Sequence, residues 1–295
     1  MHPAPSIILF TTLSGLGFGL MAFLTLGFPP VTGWIAFIFY GLAYALAGVG
    51  LILSTFHLGH PERALKAFTQ WRSSWLSREA WGAVGTLVLV GLCAVPAVFA
   101  DFRVYTLGLP AAALALWTVY ATSMIYTQIK SVPRWHHSST PILFLAHAIA
   151  GGALLAGQIS LAAPLLLVLG LIQIWAWQSG DRRLAQSGTT LVTATGLGSG
   201  GDVRAFEPPH TGSNYLLTEM VHVVGRRHAM KLRIFGFGFM VLLPWLILVA
   251  LPFHHALAAL AILSHCAGAL ICRWLFFAEA EHVVGLYYGE RGAGK

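Results

Sequence analysis

The feature that most constrains this chain is a series of long apolar runs with almost no charge inside them. A helix needs about 20 residues to cross a hydrocarbon layer of about 30 Å, and eight runs are close to or above that length. They cover residues 6–28, 34–56, 79–100, 105–129, 141–158, 161–178, 232–251 and 255–277. These runs predict an integral membrane protein.

Composition and the pattern of apolar residues indicate a helical bundle. Of 295 residues, 57% are hydrophobic and 9% are charged, whereas an ordinary soluble domain has roughly 25% charged residues. The apolar runs are continuous rather than alternating, which favours helices over a transmembrane barrel. The sequence therefore predicts an all-α bundle of eight transmembrane helices that forms one membrane domain over residues 1–295.

Positive charges are distributed unevenly between the two sides of the predicted bundle. With eight spans, the loops at about 57–78 and 179–231 share one side with both termini. The other side has essentially Arg103 alone. Because cytoplasmic loops carry an excess of Lys and Arg, both termini are predicted to be cytoplasmic. The cations on that side are Arg63, Lys66, Arg72, Arg78, Lys130, Arg134, Arg182, Arg183, Arg204, Arg226, Arg227, Lys231, Arg291 and Lys295.

The second half of loop 179–231 has apolar residues on one side and basic residues leading into the seventh span. Such a segment can lie on anionic lipid headgroups or form a docking platform for an acidic partner, and the sequence leaves both open. The links on the opposite side are too short to hold a site. Any macromolecular partner is therefore expected on the cytoplasmic face.

The stretch STFHLGHPERALKAFTQWRSSWLSREAW, residues 54–81, concentrates ionisable side chains between two apolar spans. His57 follows the second span and Glu79 begins the third, so both are expected at the same membrane depth. Histidine can exchange a proton with a quinone carbonyl near neutral pH, and a carboxylate beside it can relay that proton to water. Arg63 is expected near enough to balance Glu79, and Ser77 is expected to cap the third helix.

Three tryptophans and a second histidine complete this candidate site. Trp71, Trp75 and Trp81 are candidates for the flat apolar walls of a ring-shaped ligand, and His60 lies within the same motif. The tryptophans alternatively belong to the aromatic belt that membrane proteins place at the lipid interface. The catalytic pair is therefore predicted to be His57 and Glu79.

Two segments resemble a known family. HLGHPERA followed by SREA, and IYTQIKSVPRWHHSSTPILF after the fourth span, are similar to motifs of the DmsC family. This family comprises membrane anchor subunits of dimethyl sulfoxide reductase-type complexes. The resemblance spans nearly the whole chain and implies that His57, Arg63 and Glu79 take part in quinol binding.

The resemblance also implies a complex of three subunits. A molybdopterin catalytic subunit and an iron–sulfur subunit would dock on the cytoplasmic face, and this anchor would exchange electrons with ubiquinone or menaquinone. The chain would thus be the quinone-reactive subunit of an oxidoreductase without a molybdenum active site of its own. It is expected to be a multi-pass protein of a bacterial inner membrane, with no nucleic-acid partner.

The family includes anchors that oxidise quinol for sulfoxide or other S- and N-oxide reduction, and anchors that reduce quinone during sulfite oxidation. The basic cytoplasmic face and the segment EPPHTGSNYLLTEM favour sulfite oxidation. A transporter is a remote alternative, because few ionisable groups lie within the spans and no internal repeat is apparent.

Haem and metal ions are not expected in this chain. His147 and His265 are the histidines well inside spans, and each is expected to bond a neighbouring helix. Molybdopterin and iron–sulfur clusters are expected in partner subunits only. Arg273, about one turn from the cytoplasmic end of the last span, is expected to extend to the interface or to pair with Glu279.

Overall fold

We describe the protein from a computed structural model. It describes residues 2–56, 60–197, 203–204, 206–207, 212, 216–220 and 228–291. Within these ranges the secondary structure is helical and contains no strand, which confirms the predicted all-α class. The motif residue His57 and the segments 208–211 and 221–227 lie outside the described residues.

Helices occupy each of the eight predicted runs. They are α1 (Pro5–Leu26), α2 (Gly33–Thr55), α3 (Trp75–Phe99), α4 (Tyr105–Thr127), α5 (Ser139–Leu155), α6 (Ile159–Gln186), α8 (Ala229–Phe237) continued by α9 (Leu243–Ala250), and α10 (His255–Ala278); a short α7 (Leu191–Thr195) lies in the loop after α6. A π-helical turn, Gly238–Leu242, joins α8 to α9. Seven of these helices are long and apolar enough to cross a membrane, so the protein is a multi-pass membrane protein.

Two helices, α5 and α6, end at positions that differ from the ends of the predicted runs. The fifth, α5, has 17 residues, about 25 Å, because the backbone turns at Gly157 with a positive φ of 67°. The sixth, α6, continues to Gln186 although its apolar run ends at 178. Ion pairs to Asp181 from Arg134 and Arg233 hold these last turns.

The first helix, α1, packs against α2, α4, α5 and α10. Small residues permit this close packing, as is common in membrane bundles. A Cβ on Gly17 would meet the backbone of Ala47 in α2, and one on Gly19 would meet the backbone of Ala148 in α5. The helix α1 is therefore the centre of the bundle, while α2 exposes most of its surface.

The described termini and the polar loops gather at one end of the bundle, which we call the polar end. The His2 amide donates to the Glu219 carbonyl, and the Val283 amide donates to the Ser131 carbonyl. The Tyr287 hydroxyl donates to the Ala194 carbonyl. A cluster of two arginines and two acids also lies there and joins α6, α8, α10 and the loop before α5: Arg134, Asp181, Arg233 and Glu279.

Candidate functional site

The loop between α2 and α3 folds onto the start of α3. Its central part is a 3₁₀ helix, Pro61–Phe68. The Ser77 hydroxyl donates to the Ala67 carbonyl and accepts from the Gln70 amide at 3.2 Å. The sequence predicted that Ser77 caps α3. This prediction is wrong, because the helix begins two residues earlier, at Trp75. The hydroxyl instead fixes the loop against the helix.

An open cleft of about 520 Å³ lies between this loop, α3 and α4. We call it the aromatic cleft, and its lining residues are Phe68, Trp71, Arg78, Trp81 and Trp117. Its volume falls within the usual range of small-molecule sites, about 300–1,000 Å³. The walls are flat and apolar except for one guanidinium.

Hydrogen bonds to the loop backbone hold the walls of the aromatic cleft. The Trp81 indole N–H donates to the Phe68 carbonyl at 3.0 Å, and its ring meets the Phe68 ring edge-on at 5.3 Å. The Arg78 Nε donates to the Trp71 carbonyl at 3.0 Å. The guanidinium of Arg78 also lies 4.3 Å from the centre of the Trp75 ring. The loop conformation therefore determines the shape of the cleft.

Two of the three predicted tryptophan walls line the cleft. Trp71 is 56% exposed and Trp81 is 54% exposed, so both present their faces outside the packed core. Trp75 instead packs edge-on against Tyr120 of α4, with ring centres 5.8 Å apart. The third wall is Trp117, which sequence reasoning missed because it lies inside an ordinary apolar run.

A glycine allows Trp117 to reach the cleft. A Cβ on Gly82 of α3 would come within 2.6 Å of the Trp117 ring, which is closer than real side chains approach. Gly82 follows Trp81 directly, so α3 and α4 can pack closely beside the cleft. The glycine directly after Trp81 is a sequence signal that could have indicated this close contact.

Glu79 lies at the interface between α3 and α4 and is not among the residues that line the cleft. It is 4% exposed, and the hydroxyl of Thr122 donates to its Oε1 at 2.5 Å. Positions 75, 79, 82 and 86 share the helical face that meets α4, whereas Arg78 and Trp81 lie on the adjacent face. Among the described residues no cation is within ion-pair distance of Glu79, so a negative charge there would be costly.

The structure does not bring Arg63 and Glu79 together. Arg63 stands on the 3₁₀ helix with its side chain 60% exposed, and its nearest acid is Glu62 at 3.9 Å. The His60 Nδ1 lies 2.9 Å from a Glu62 carboxylate oxygen, also on the surface. The reason is orientation: the 3₁₀ helix directs these side chains outward, while Glu79 faces α4. The expectation that Arg63 balances Glu79 is therefore wrong for the described arrangement.

The two intramembrane histidines each bond to a neighbouring helix. The His147 Nε2 lies 3.2 Å from Gln173 Oε1 of α6, and the His265 Nδ1 lies 2.8 Å from the Met240 carbonyl. No group of three or more His, Cys, Asp or Glu side chains within the described part of the sequence could hold a metal ion.

The position and pairing of the Arg273 side chain also differ from what the sequence predicted. It is 4% exposed, so its side chain does not extend to the interface. Glu279, its expected partner, pairs with Arg233 at 2.7 Å and Arg134 at 3.3 Å. These two arginines reach Glu279 from other elements and leave Arg273 inside the bundle.

Comparison with known proteins finds a matching family model and several relatives. The family model of the DMSO reductase anchor subunit (DmsC) matches residues 2–289. A sulfite dehydrogenase subunit of Allochromatium vinosum is 31% identical over 325 aligned residues, covering 98% of this protein and 99% of the relative. An anaerobic dimethyl sulfoxide reductase subunit of Escherichia coli is 30% identical, and the match covers 46% of each protein.

A second Escherichia coli protein, the anaerobic dimethyl sulfoxide reductase subunit YnfH, is 30% identical over 41% of this sequence and 43% of its own. No solved structure matches the protein significantly. The family model covers nearly the whole sequence, including the aromatic cleft and helices α1 to α10. The protein therefore belongs to the DmsC family of DMSO reductase anchor subunits, and is a membrane anchor of an oxidoreductase complex.

Proposed function

We propose that this protein is the quinone-reducing anchor of a sulfite-oxidising complex. Electrons from sulfite would pass through a molybdopterin subunit and an iron–sulfur subunit to a quinone head group held in the aromatic cleft. The observation that carries the proposal is the aromatic cleft itself, whose wall residues Arg78 and Trp81 lie within one helical turn of buried Glu79 on α3. A flat redox ring and a proton source would thus meet at one place.

The chemistry of the cleft suits a quinone. Trp71, Trp81 and Trp117 offer apolar faces to an aromatic ring, and the Arg78 guanidinium offers a positive charge near its carbonyl oxygens. Because both ubiquinone and menaquinone present a flat ring with two carbonyls, these walls fit either. The open side of the cleft allows the isoprenoid tail to remain in lipid.

Proton transfer is assigned to His57 and Glu79. Reduction of a quinone to a quinol takes two electrons, which the iron–sulfur subunit would supply, and two protons. In the sequence His57 directly follows Phe56, the residue that ends α2, and histidine exchanges protons readily near neutral pH. Glu79, oriented by Thr122, would hold a proton next to the cleft and recover it from the aqueous side.

Docking of the iron–sulfur subunit is proposed at the polar end. Both described termini and the polar loops lie there, and most cations of the sequence belong to these segments. By the positive-inside bias this end faces the cytoplasm of a bacterial inner membrane. Electrons would then enter beside the aromatic cleft, within the short distance that transfer to a bound quinone requires.

The choice of sulfite rather than a sulfoxide as the substrate rests on how much of each relative aligns with this protein. The similarity to the sulfite dehydrogenase subunit extends over both proteins almost entirely, whereas the two dimethyl sulfoxide reductase subunits match less than half. The second candidate is the reverse electron flow, in which the same cleft oxidises quinol for a sulfoxide or N-oxide reductase. The family description, DMSO reductase anchor subunit, favours that alternative.

The test compares two electron acceptors with the purified complex. Sulfite-dependent reduction of a quinone analogue needs the anchor, while reduction of a soluble dye takes electrons from the catalytic subunits. His57→Ala and Trp81→Ala are each expected to reduce quinone activity at least tenfold with dye activity unchanged. Trp34→Ala is the matched control, because Trp34 is 72% exposed at the opposite end of the bundle.

Each outcome has a defined meaning. Quinone activity that survives both His57→Ala and Trp81→Ala would contradict the assignment of the cleft. An unmutated complex that ignores sulfite but oxidises quinol with a sulfoxide would support the second candidate and overturn the first.

A further inference from the structure

Arg273 is a buried cation that none of the ion pairs among the described residues includes. Its side chain is 4% exposed, and its Nε has no hydrogen-bond partner. Arginine stays protonated in proteins, so the positive charge persists inside the bundle. A charge inside a membrane bundle is costly and normally pairs with a group of opposite sign.

The aromatic rings around Arg273 provide only partial compensation. Its guanidinium carbon lies 3.8 Å from the centre of the Phe144 ring and 5.7 Å from that of Phe276. Cation–π attraction to these faces is favourable, but it does not neutralise the charge. The rings do fix the guanidinium in place, between α5 and α10.

A small cavity adjoins Arg273. It has a volume of about 10 Å³ and is lined by residues of α1, α4, α5 and α10, among them Thr12, Phe144, His147 and Arg273. This volume is close to the smallest that holds one water-sized particle. Any occupant is therefore a single small species, far smaller than a quinone head group.

A second buried donor at this cavity lacks a partner. The Oγ1 of Thr12 makes no hydrogen bond, although threonine hydroxyls in helices usually donate to their own backbone, as Thr11 does to Ile7 at 2.9 Å. His147 forms another wall and is held in position by Gln173. Two residues that each carry an unpartnered donor, one of them cationic, thus line the same small cavity.

We propose that this cavity is a binding site for one monatomic anion of the halide class, held by Arg273 and Thr12 beside His147. The anion would accept hydrogen bonds from the guanidinium Nε and the threonine hydroxyl, and its charge would neutralise Arg273. The proposal is independent of the proposed redox function, because it uses neither the aromatic cleft nor Glu79.

Other partners for the Arg273 guanidinium fit less well than a halide. The acids nearest the polar end, Asp181 and Glu279, are already paired with Arg134 and Arg233. Glu79 is bonded to Thr122 on the α3–α4 interface. A water molecule has the right size and accepts the same hydrogen bonds, but it is neutral and leaves the buried charge uncompensated. A halide is among the smallest anions, and unlike water it compensates the charge of Arg273.

Binding of radioactive chloride to the purified complex tests the proposal. A scintillation proximity assay detects weak binding without a washing step, and the signal is expected to saturate at one chloride per anchor subunit. Bromide should displace the label, whereas gluconate should not, because it is too large for a cavity of about 10 Å³.

Variants connect the binding signal to the cavity. Arg273→Met should abolish saturable binding, and Thr12→Val should weaken it about tenfold or more, as expected for loss of a hydrogen bond to a charged group. Arg182→Met, which removes an exposed cation of α6, should leave binding unchanged. If Arg273→Met does not assemble, Thr12→Val decides, because it keeps the shape of the side chain.

Two results would overturn the proposal. One is the absence of saturable chloride binding to the unmutated complex, which would leave water as the occupant. The other is chloride binding that neither Arg273→Met nor Thr12→Val changes, which would place the anion elsewhere in the complex.

Discussion

The Thr122 hydroxyl of α4 lies 2.5 Å from the Glu79 carboxylate of α3, and this contact joins the two helices that form the aromatic cleft. Both groups are buried, so neither exchanges this partner for bulk water. Thr122 therefore orients the proposed proton donor relative to the cleft.

Thr122→Val should reduce quinone turnover without changing dye reduction. Valine keeps the shape of threonine and removes the hydrogen bond, so Glu79 loses its orientation and a polar partner. We expect about a tenfold lower kcat for quinone, in line with one buried hydrogen bond to an ionisable group. Steady-state kinetics of the purified complex with both acceptors measure this effect.

Thr118→Val is the control for this prediction. Thr118 is also buried in α4, one turn before Thr122, and its hydroxyl contacts that of Thr86 at 3.1 Å. Equal losses in the Thr118 and Thr122 variants would show that helix packing, rather than contact with Glu79, explains the effect.

Glu79→Gln should abolish quinone reduction while the complex remains assembled. Glutamine is nearly isosteric, still accepts the hydrogen bond from Thr122, and has no proton to transfer. We expect a loss of about 10²-fold or more, the lower range for general acid–base groups. Thermal stability should change little because no charge is left unpaired. Wild-type turnover in Glu79→Gln would remove Glu79 from the proton path.

Gly82→Ala should raise KM for quinone. The added Cβ would lie 2.6 Å from the Trp117 ring, so the ring must move into the aromatic cleft or α3 must shift. Dye reduction should stay constant, since the catalytic subunits are untouched. The comparison is Gly48→Ala on α2, where a Cβ meets no atom within 4 Å; an unchanged KM in Gly82→Ala would mean that Trp117 is not a wall of the site.

Arg233→Met should destabilise the polar end. Arg233 bonds to both Asp181, at 2.6 Å, and Glu279, at 2.7 Å, and its removal leaves the buried Glu279 with Arg134 as its remaining ion-pair partner among the described residues. We expect a loss of roughly 2–3 kcal/mol, less than for a fully buried pair because Asp181 is partly exposed. A thermal shift assay measures it, with the exposed Lys130→Met as control; an unchanged Tm would show that the pair contributes nothing.

Local sequence patterns predicted which segments are helical better than they predicted where each helix ends. An uncharged run of about 20 residues has few alternatives to a membrane helix, which explains why a helix occupies each predicted run. The end of α6 depends on Asp181 meeting Arg134 and Arg233 from distant segments. No local pattern contains that information.

The candidate site was predictable where it is local in sequence. Trp71, Trp81 and Glu79 come from one motif, and the fold of the loop keeps them together. Trp117 and Thr122 join them from α4, and their roles depend on which face of α4 meets α3. Arg63 and Trp75 were assigned by proximity along the sequence alone, and their side chains point elsewhere.

The position of the aromatic cleft at the polar end predicts that turnover moves no net charge across the membrane. Sulfite oxidation releases electrons and protons on the side where the catalytic subunits would dock. The cleft and Glu79 lie at this same end, so quinone reduction would take up its protons there. In proteoliposomes with the catalytic subunits outside, a voltage-sensitive dye should report no potential during sulfite-dependent quinone reduction. A potassium diffusion potential set by valinomycin confirms that the dye responds. A sustained potential during turnover would require protons from the opposite side, and would place the quinone site away from the polar end.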